Sequence, residues 1–407
     1  MINLITVKTE NVKAGMILGQ PVLNDDGTIE LLSKGSQLSK RHISLLKRLG
    51  IDAVIIVEEG EDLKDDKPAT VEQQVEFVKE VIKESGQEFD VNAFHEDMKK
   101  VEEEDFDYIV RSQFNENMKI SVLTGEGNIP IDQKHRVSIE ETKNVFNQLR
   151  ETEQLDIEAV RKNVKNMLPD MVRNNDVLMR LKQLQESDDY TFQHSLRVAV
   201  LASMIGKWLG YGKNELYDIC EAGLLFDVGK LKIPEFILKK NGKVTPQEFE
   251  IIKKHAQLGY TVLLRTKGVS QDVKFAALQH HERMDGSGYP LRIRSGQIHE
   301  FAKIIMVCDV YDAMISNRVY RSKLSPFEAA EFISWNSGHT LDSRICYIFL
   351  SNLAEFYIGK QCLLNSGEEG TIAYVDVNYP TRPIVRVGNR FIDLTKDKKY
   401  QIVDLLN

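Results

Sequence analysis

His280-His281-Glu282-Arg283-Met284-Asp285-Gly286-Ser287-Gly288-Tyr289-Pro290 is the stretch that organises the reading of this 407-residue chain. Before it, Val273, Ala277 and Leu278 recur at helical spacing, so a helix ends in two adjacent imidazoles. Within it, Gly286, Gly288 and Pro290 make a tight turn whose backbone can come close to a ligand. A lone helical histidine is more often a surface or satisfied core group than a ligand. The neighbours must therefore decide.

Working outward, five of the nine histidines fall between His194 and His299, and acidic residues accompany them. His194 opens an apolar helix. Asp227 ends the helix bearing Leu216, Ile219, Gly223 and Leu224. His255 lies in the helix begun by Thr245. Asp309 interrupts the apolar run Ile304 to Cys308, where an unpaired carboxylate would be costly. Thr245-Pro246-x-Glu248 and Ser325-Pro326-x-Glu328 each combine an N-cap hydroxyl, proline at N1 and glutamate at N3, and so mark helix starts. Imidazoles and carboxylates together suit iron, manganese or a similar divalent ion, whose charge makes inward-facing carboxylates tolerable.

The run His194-Ser195, the block Ala222-Gly223-Leu224-Leu225-Phe226-Asp227-Val228-Gly229-Lys230, then Ile233-Pro234 and Ile237-Leu238, resemble the HD superfamily of metal-dependent phosphohydrolases. The opening stretch, with Asp309-Val310-Tyr311-Asp312-Ala313 and Asn317-Arg318-Val319-Tyr320-Arg321, resembles its HD-GYP branch. That resemblance implies a helical domain hydrolysing cyclic di-GMP by a metal-activated hydroxide, with iron or manganese as the metal. It implies that His194, Asp227 and Asp309 hold one ion, and that His255, His280 and His281 hold a second, bridged by Asp227. Lys230 is expected to face the scissile phosphate or the hydroxide, so Asp227 and Lys230 carry the catalytic roles. Gly288, Tyr289 and Pro290 are expected beside the substrate, with Arg318 and Arg321 on its phosphates, where an arginine fork suits phosphate oxygens. No protein nucleophile is needed, which leaves Ser195 and Ser287 structural.

Two departures from the family pattern matter. The superfamily's His-Asp motif reads Phe226-Asp227 here, and a phenyl ring cannot bind a metal. The ion at His194 and Asp309 therefore keeps three protein ligands, while the other keeps four. Tyr190 stands where some family members place a glutamate for a third ion, so one or two ions per chain are expected. Phe226 keeps an alternative open: an impaired or inactive domain that senses cyclic di-GMP or acts as a protein scaffold. The Gly288-Tyr289-Pro290 block disfavours an HD enzyme for other phosphoesters.

The remaining sequence sets the frame. A formal charge of −8 argues against a nucleic-acid polymer or membrane surface as partner. No signal peptide opens the chain, no apolar run could span a bilayer, and Cys220 and Cys308 sit in apolar helical patterns, so the protein is read as cytoplasmic. Residues 1–57 look like a small α+β module: Asn24 to Gly27 is a turn signal, Ser39 starts a helix ended by Gly50, and Ala53 to Val57 is a strand. Residues 58–187 combine a charged linker with a helical region, either solvated helices or a signalling bundle that could serve a homo-oligomer or partner. Residues 188–340 form the HD-GYP-like domain, and 341–407 a helix plus a small β appendage. The expected fold class is multidomain and mainly α.

Overall fold

The computed structural model describes residues 4–23, 30–32, 34–57, 131–173, 190–240, 244–316, 325–376 and 379–406. The turn at Asn24 to Gly27, the charged linker, the helical pattern before residue 131, and Arg318 and Arg321 all lie outside the described residues. The fold is mainly α with two small β regions, as the sequence implies.

At the N-terminus, strand β1 (Leu4–Lys8) pairs antiparallel with β4 (Ala53–Val57), while β2 (Val22–Leu23) pairs with β3 (Glu30–Leu32). Helix α1 (Lys40–Arg48) runs between them and stops before Gly50, whose φ of 60° needs a residue without a Cβ. A helical hairpin follows, α2 (Ile131–Thr152) and α3 (Ile157–Arg173).

The helical domain is built from α4 (Tyr190–Trp208), α5 (Lys213–Leu225), a 3-10 turn (Val228–Lys232) and α6 (Glu235–Leu238). It continues with α7 (Pro246–Lys253), α8 (His255–Arg265), α9 (Gln271–Gln279), α10 (Glu300–Ile315) and α11 (Pro326–Asn336). Both expected capping boxes form. Thr245 accepts from the Glu248 N–H, Ser325 accepts from the Glu328 N–H, and each glutamate reaches back to its cap. One helix boundary differs from the sequence reading. The helix begun by Thr245 stops at Lys253, and His255 opens a new one.

Helix α10 is the axis of the domain: every residue from Phe301 to Ile315 is buried. A helix apolar all round belongs in a core, and α4 and α9 pack against it while α4 also packs on α5. The α2–α3 hairpin braces α5 from outside, where Arg161 pairs with Glu221 at 3.3 Å and donates to the Gly268 carbonyl at 2.5 Å. Burial pushes the Glu221 carboxyl up to about 7 although Arg161 opposes the shift.

Helix α12 (Ser343–Glu355) leads to five antiparallel strands, β5 (Gln361–Leu364), β6 (Glu369–Tyr374), β7 (Ile384–Val387), β8 (Arg390–Asp393) and β9 (Ile402–Leu406), in the order β8-β7-β6-β5-β9. This sheet docks on α11, where the Ser325 hydroxyl donates to the Ile402 carbonyl at 3.3 Å and Arg382 pairs with Glu331. All four cysteines are buried and free. Among the described residues, no helix is long and apolar enough to cross a membrane.

Candidate metal centre

Five elements deliver the site. Helix α4 carries His194 in its first turns, α8 opens at His255, α9 is capped by His280 with His281 next, and α10 supplies Asp309. Helix α5 ends at Leu225 with Phe226 as its cap, so Asp227 stands just beyond the helix at φ −99°, ψ 8°. That bridge conformation is sparsely populated and common in active sites. The following 3-10 turn lies so close to α8 that a Cβ on Gly229 would overlap the His255 carbonyl oxygen and the Gly259 backbone. Glycine at 229 thus fixes the distance between Asp227 and His255.

On one side of Asp227 three imidazoles converge. Nε2 of His255 lies 3.1 Å from Nε2 of both His280 and His281. The Nδ1–H of His255 donates to the Ile252 carbonyl at 2.6 Å, and that of His280 to the Ala277 carbonyl at 3.0 Å. With Nδ1 protonated, each neutral ring turns an Nε2 lone pair inward. Burial favours the neutral form: it pushes His255 down to about 3 against the pull of Asp227, and lowers His280 and His281 as well. Asp227 Oδ1 lies beside the group, 3.3 Å from His255 Nε2 and 3.8 Å from His280 Nε2, buried and without a hydrogen bond. Converging lone pairs and a bare carboxylate oxygen repel one another unless a cation lies between them. Three nitrogens and one oxygen are a fitting donor set for a divalent transition metal. Among the described residues these three histidines form the one such converging group.

The other side differs. His194 is bracketed by carboxylates, with Nε2 2.9 Å from Asp309 Oδ1 and Nδ1 2.7 Å from Asp312 Oδ2. Asp227 Oδ2 lies 3.8 Å from His194 Nε2 and accepts from the Lys230 ammonium at 2.6 Å. Burial works against a charge on His194, but hydrogen bonds to Asp309 and Asp312 outweigh it and raise the imidazole to about 9. Burial likewise opposes ionisation of Asp227, and Lys230 with the surrounding imidazoles holds it well below the usual carboxylate range. The two oxygens of Asp227 therefore face two different clusters.

Phe226 sits between those clusters, fully buried. Its ring is edge-on to His280, with centroids 5.0 Å apart, and steeply tilted to His194 at 5.6 Å. Hydrocarbon thus fills the space between the two clusters.

The loop after His281 is held from beneath by Glu282. Its fully buried carboxylate accepts the backbone N–H groups of Leu291, Arg292 and Ile293 at 2.6, 3.2 and 3.1 Å. Burial raises the Glu282 carboxyl to about 8 in spite of these bonds. A Cβ on Gly288 would strike the Glu282 and Arg283 backbone. The Tyr289 ring stacks on His281 at 4.6 Å, which sets the Gly288-Tyr289-Pro290 turn directly against the three-imidazole cluster. Ser287 caps the turn through Asp285, and Ser195 is buried in α4.

Six candidate ligands scattered over 116 positions thus fall into two neighbouring clusters, with His194, His255 and His280 each within 3.8 Å of Asp227. A scan against known families matches residues 173–345 to the HD domain. A cyclic di-GMP phosphodiesterase of Pseudomonas aeruginosa is 35% identical over 202 residues, which are 50% of this chain and 49% of that protein. A cyclic di-GMP phosphodiesterase of Thermotoga maritima is 37% identical over 177 residues, 43% and 48% of the two chains. Residues 173–345 are an HD domain, of the HD-GYP branch. A 3'3'-cGAMP-specific phosphodiesterase of Vibrio cholerae is 34% identical over 167 residues, 41% of this chain and 32% of that one. The chain spans about half the length of the first two relatives. HD-domain phosphohydrolases are metal-dependent, and the histidine cluster of this HD-GYP domain accords with that.

Three residues of the site went unassigned at the level of sequence. Asp312 and Glu282 stand inside the quoted motifs, and Arg197 follows His194 by one helical turn. The argument applied to Asp309, that a carboxylate in an apolar helix requires a partner, holds equally for Asp312 and was the available signal. Arg197, a cation on the buried face of an apolar helix, signals the same pairing from the other side.

Proposed function

We propose that this chain hydrolyses a phosphodiester bond of cyclic di-GMP in the cytoplasm. One divalent ion, iron or manganese, would be held by His255, His280, His281 and Asp227, and another by Asp227, His194 and Asp309. The observation that carries the reading is the convergence of the Nε2 atoms of His255, His280 and His281, beside which a bare oxygen of Asp227 lies 3.3 Å from His255. Bound ions would supply Lewis-acid activation of water and of the phosphodiester.

The chain's own groups do the rest. Asp227, held as a carboxylate, offers one oxygen to each cluster. The Lys230 ammonium is buried beside the two clusters, 2.6 Å from Asp227 Oδ2, and is assigned to the scissile phosphate on the family resemblance. Neutral His255, His280 and His281 are poor proton donors, so the proton for the leaving ribose oxygen is assigned to Lys230 or a water. The Gly288-Tyr289-Pro290 turn walls one side of the site. Arg318 and Arg321 are assigned to the substrate phosphates on the family resemblance. The helical region is assigned to contacts with a partner or a second copy.

Phe226 favours one competing reading, a domain that binds cyclic di-GMP and turns it over slowly or not at all. The full chain, purified anaerobically and loaded with ferrous iron or manganese, is incubated with cyclic di-GMP and the products are separated by chromatography. Accumulation of the linear dinucleotide or GMP is expected. Tight binding without product favours the sensor, and neither binding nor product removes both readings.

A further inference from the structure

The imidazole of His194 is gripped at both nitrogens, and only one grip belongs to the ligand set. Asp309 faces Nε2, as a fellow ligand would. Asp312 faces Nδ1 at 2.7 Å and belongs to no proposed metal position. Asp312 is itself pinned. Arg197 donates from Nε to Oδ1 at 2.6 Å and from Nη2 to Oδ2 at 3.0 Å. The Ser316 hydroxyl donates to Oδ2 at 3.3 Å and accepts from Arg197 Nη2 at 3.0 Å. Asp312 and Arg197 are 0% and 1% exposed, so this is a dry, two-pronged pair rather than a surface bridge.

Helix periodicity makes the arrangement. Arg197 lies one turn beyond His194 on α4, and Asp312 one turn beyond Asp309 on α10. The same two helices thus meet twice, once through ligand groups and once through the brace.

We infer that Asp312, anchored by Arg197, is a positioning residue that fixes His194 with Nδ1–H donated to the brace and the Nε2 lone pair turned toward Asp227 and Asp309. The inference rests on the proposed reading of that cluster as a metal position. Groups that orient a ligand histidine ordinarily act by setting its tautomer and ring angle. They bear more weight here, because Phe226 leaves this position with three protein donors instead of four. Ser316 is the residue that closes α10, so the brace also ties down the end of that helix.

Asp312→Asn in the full chain tests this with little change of shape. The amide oxygen must serve Arg197, which leaves the NH2 facing His194 Nδ1. That nitrogen must then accept, the ring proton moves to Nε2, and the inward lone pair is lost. Manganese binding is followed by equilibrium dialysis and by electron paramagnetic resonance. The ion at His194 is expected to bind ~10–100-fold more weakly, the signal of paired ions to disappear, and the ion at His255, His280 and His281 to bind as in wild type. Asp312→Glu, which restores a carboxylate, should recover most of the loss. Should Asp312→Asn not fold, Arg197→Lys is measured in the same way and should weaken the same ion selectively. Equal weakening of both ions, or of neither, overturns the inference, as does a wild type that holds an ion only at the three-histidine cluster. A wild type that takes up no ion overturns the underlying reading instead.

Discussion

The two sides of Asp227 solve the same problem in opposite ways. On the His255, His280 and His281 side, burial favours three neutral rings, backbone carbonyls take the N–H groups of His255 and His280, and the Nε2 atoms of His280 and His281 crowd to 3.1 Å from that of His255. Among the described residues, no hydrogen bond reaches the bare Asp227 Oδ1 or His281 Nδ1. On the His194 side every charge already has a protein partner: Asp309 and Asp312 on the imidazole, Arg197 on Asp312, Lys230 on Asp227. The first arrangement is pre-organised for a cation. The second must give up a proton and loosen existing contacts to accept one. Donor identity alone therefore does not rank the two positions; the charge state imposed by the surroundings does.

The most damaging way to break the comparison is at the crowded side. His280→Ala should remove about one ion per chain by elemental analysis and cut hydrolysis by more than ~100-fold, since losing a ligand exceeds the effect of losing its outer support. Equal metal content in wild type and variant would end the assignment of that cluster.

The metal-free protein sharpens the contrast through pH. His194 is raised from 6.5 to about 9 by the carboxylates that outweigh its burial, so its stabilisation is fully present below pH 6.5 and lost as pH climbs to 9. His255 is lowered from 6.5 to about 3 by burial, so its neutral form stabilises above pH 6.5 and that stability drains away as pH falls. At about 1.4 kcal/mol per pH unit, each slope amounts to a few kcal/mol over the accessible range. Urea unfolding of wild type, His194→Gln and His255→Gln between pH 4.5 and 9 separates them. His194→Gln should abolish the alkaline loss and His255→Gln should abolish part of the acid loss. Three superimposable profiles would contradict the charge states assigned to the two sides.

The smallest effect is a gain. Phe226→His returns an imidazole to the weaker side, between His194 and His280, and should raise occupancy there and phosphodiesterase turnover by about tenfold in excess manganese. The cost is a polar ring in a site packed for a phenyl group. A folded variant that binds two ions with no gain in rate would place the limit on catalysis elsewhere.

Much of this site was legible before any coordinates. The types of the six ligand candidates, their order, the capping boxes at Thr245 and Ser325, and the phenylalanine at 226 are local features, and local features survive in a linear sequence. The break between Lys253 and His255 was not legible, because the spacing Phe249, Ile252, Ala256 continues across it and Lys254 itself keeps helical dihedrals, φ −64° and ψ −15°. Nor could the sequence say that Asp309 and Asp312, one turn apart on one apolar helix, take opposite nitrogens of one ring.

The sequence by itself thus determined which candidate donors exist, where helices begin, and that a phenylalanine precedes Asp227. Only the tertiary structure decided how charge is shared among them. Pairing of His194 with residues 115 and 118 positions away depends on how α4 and α10 are rotated about their axes. That rotation is set by the packing of every apolar side chain between them, and no short motif encodes it.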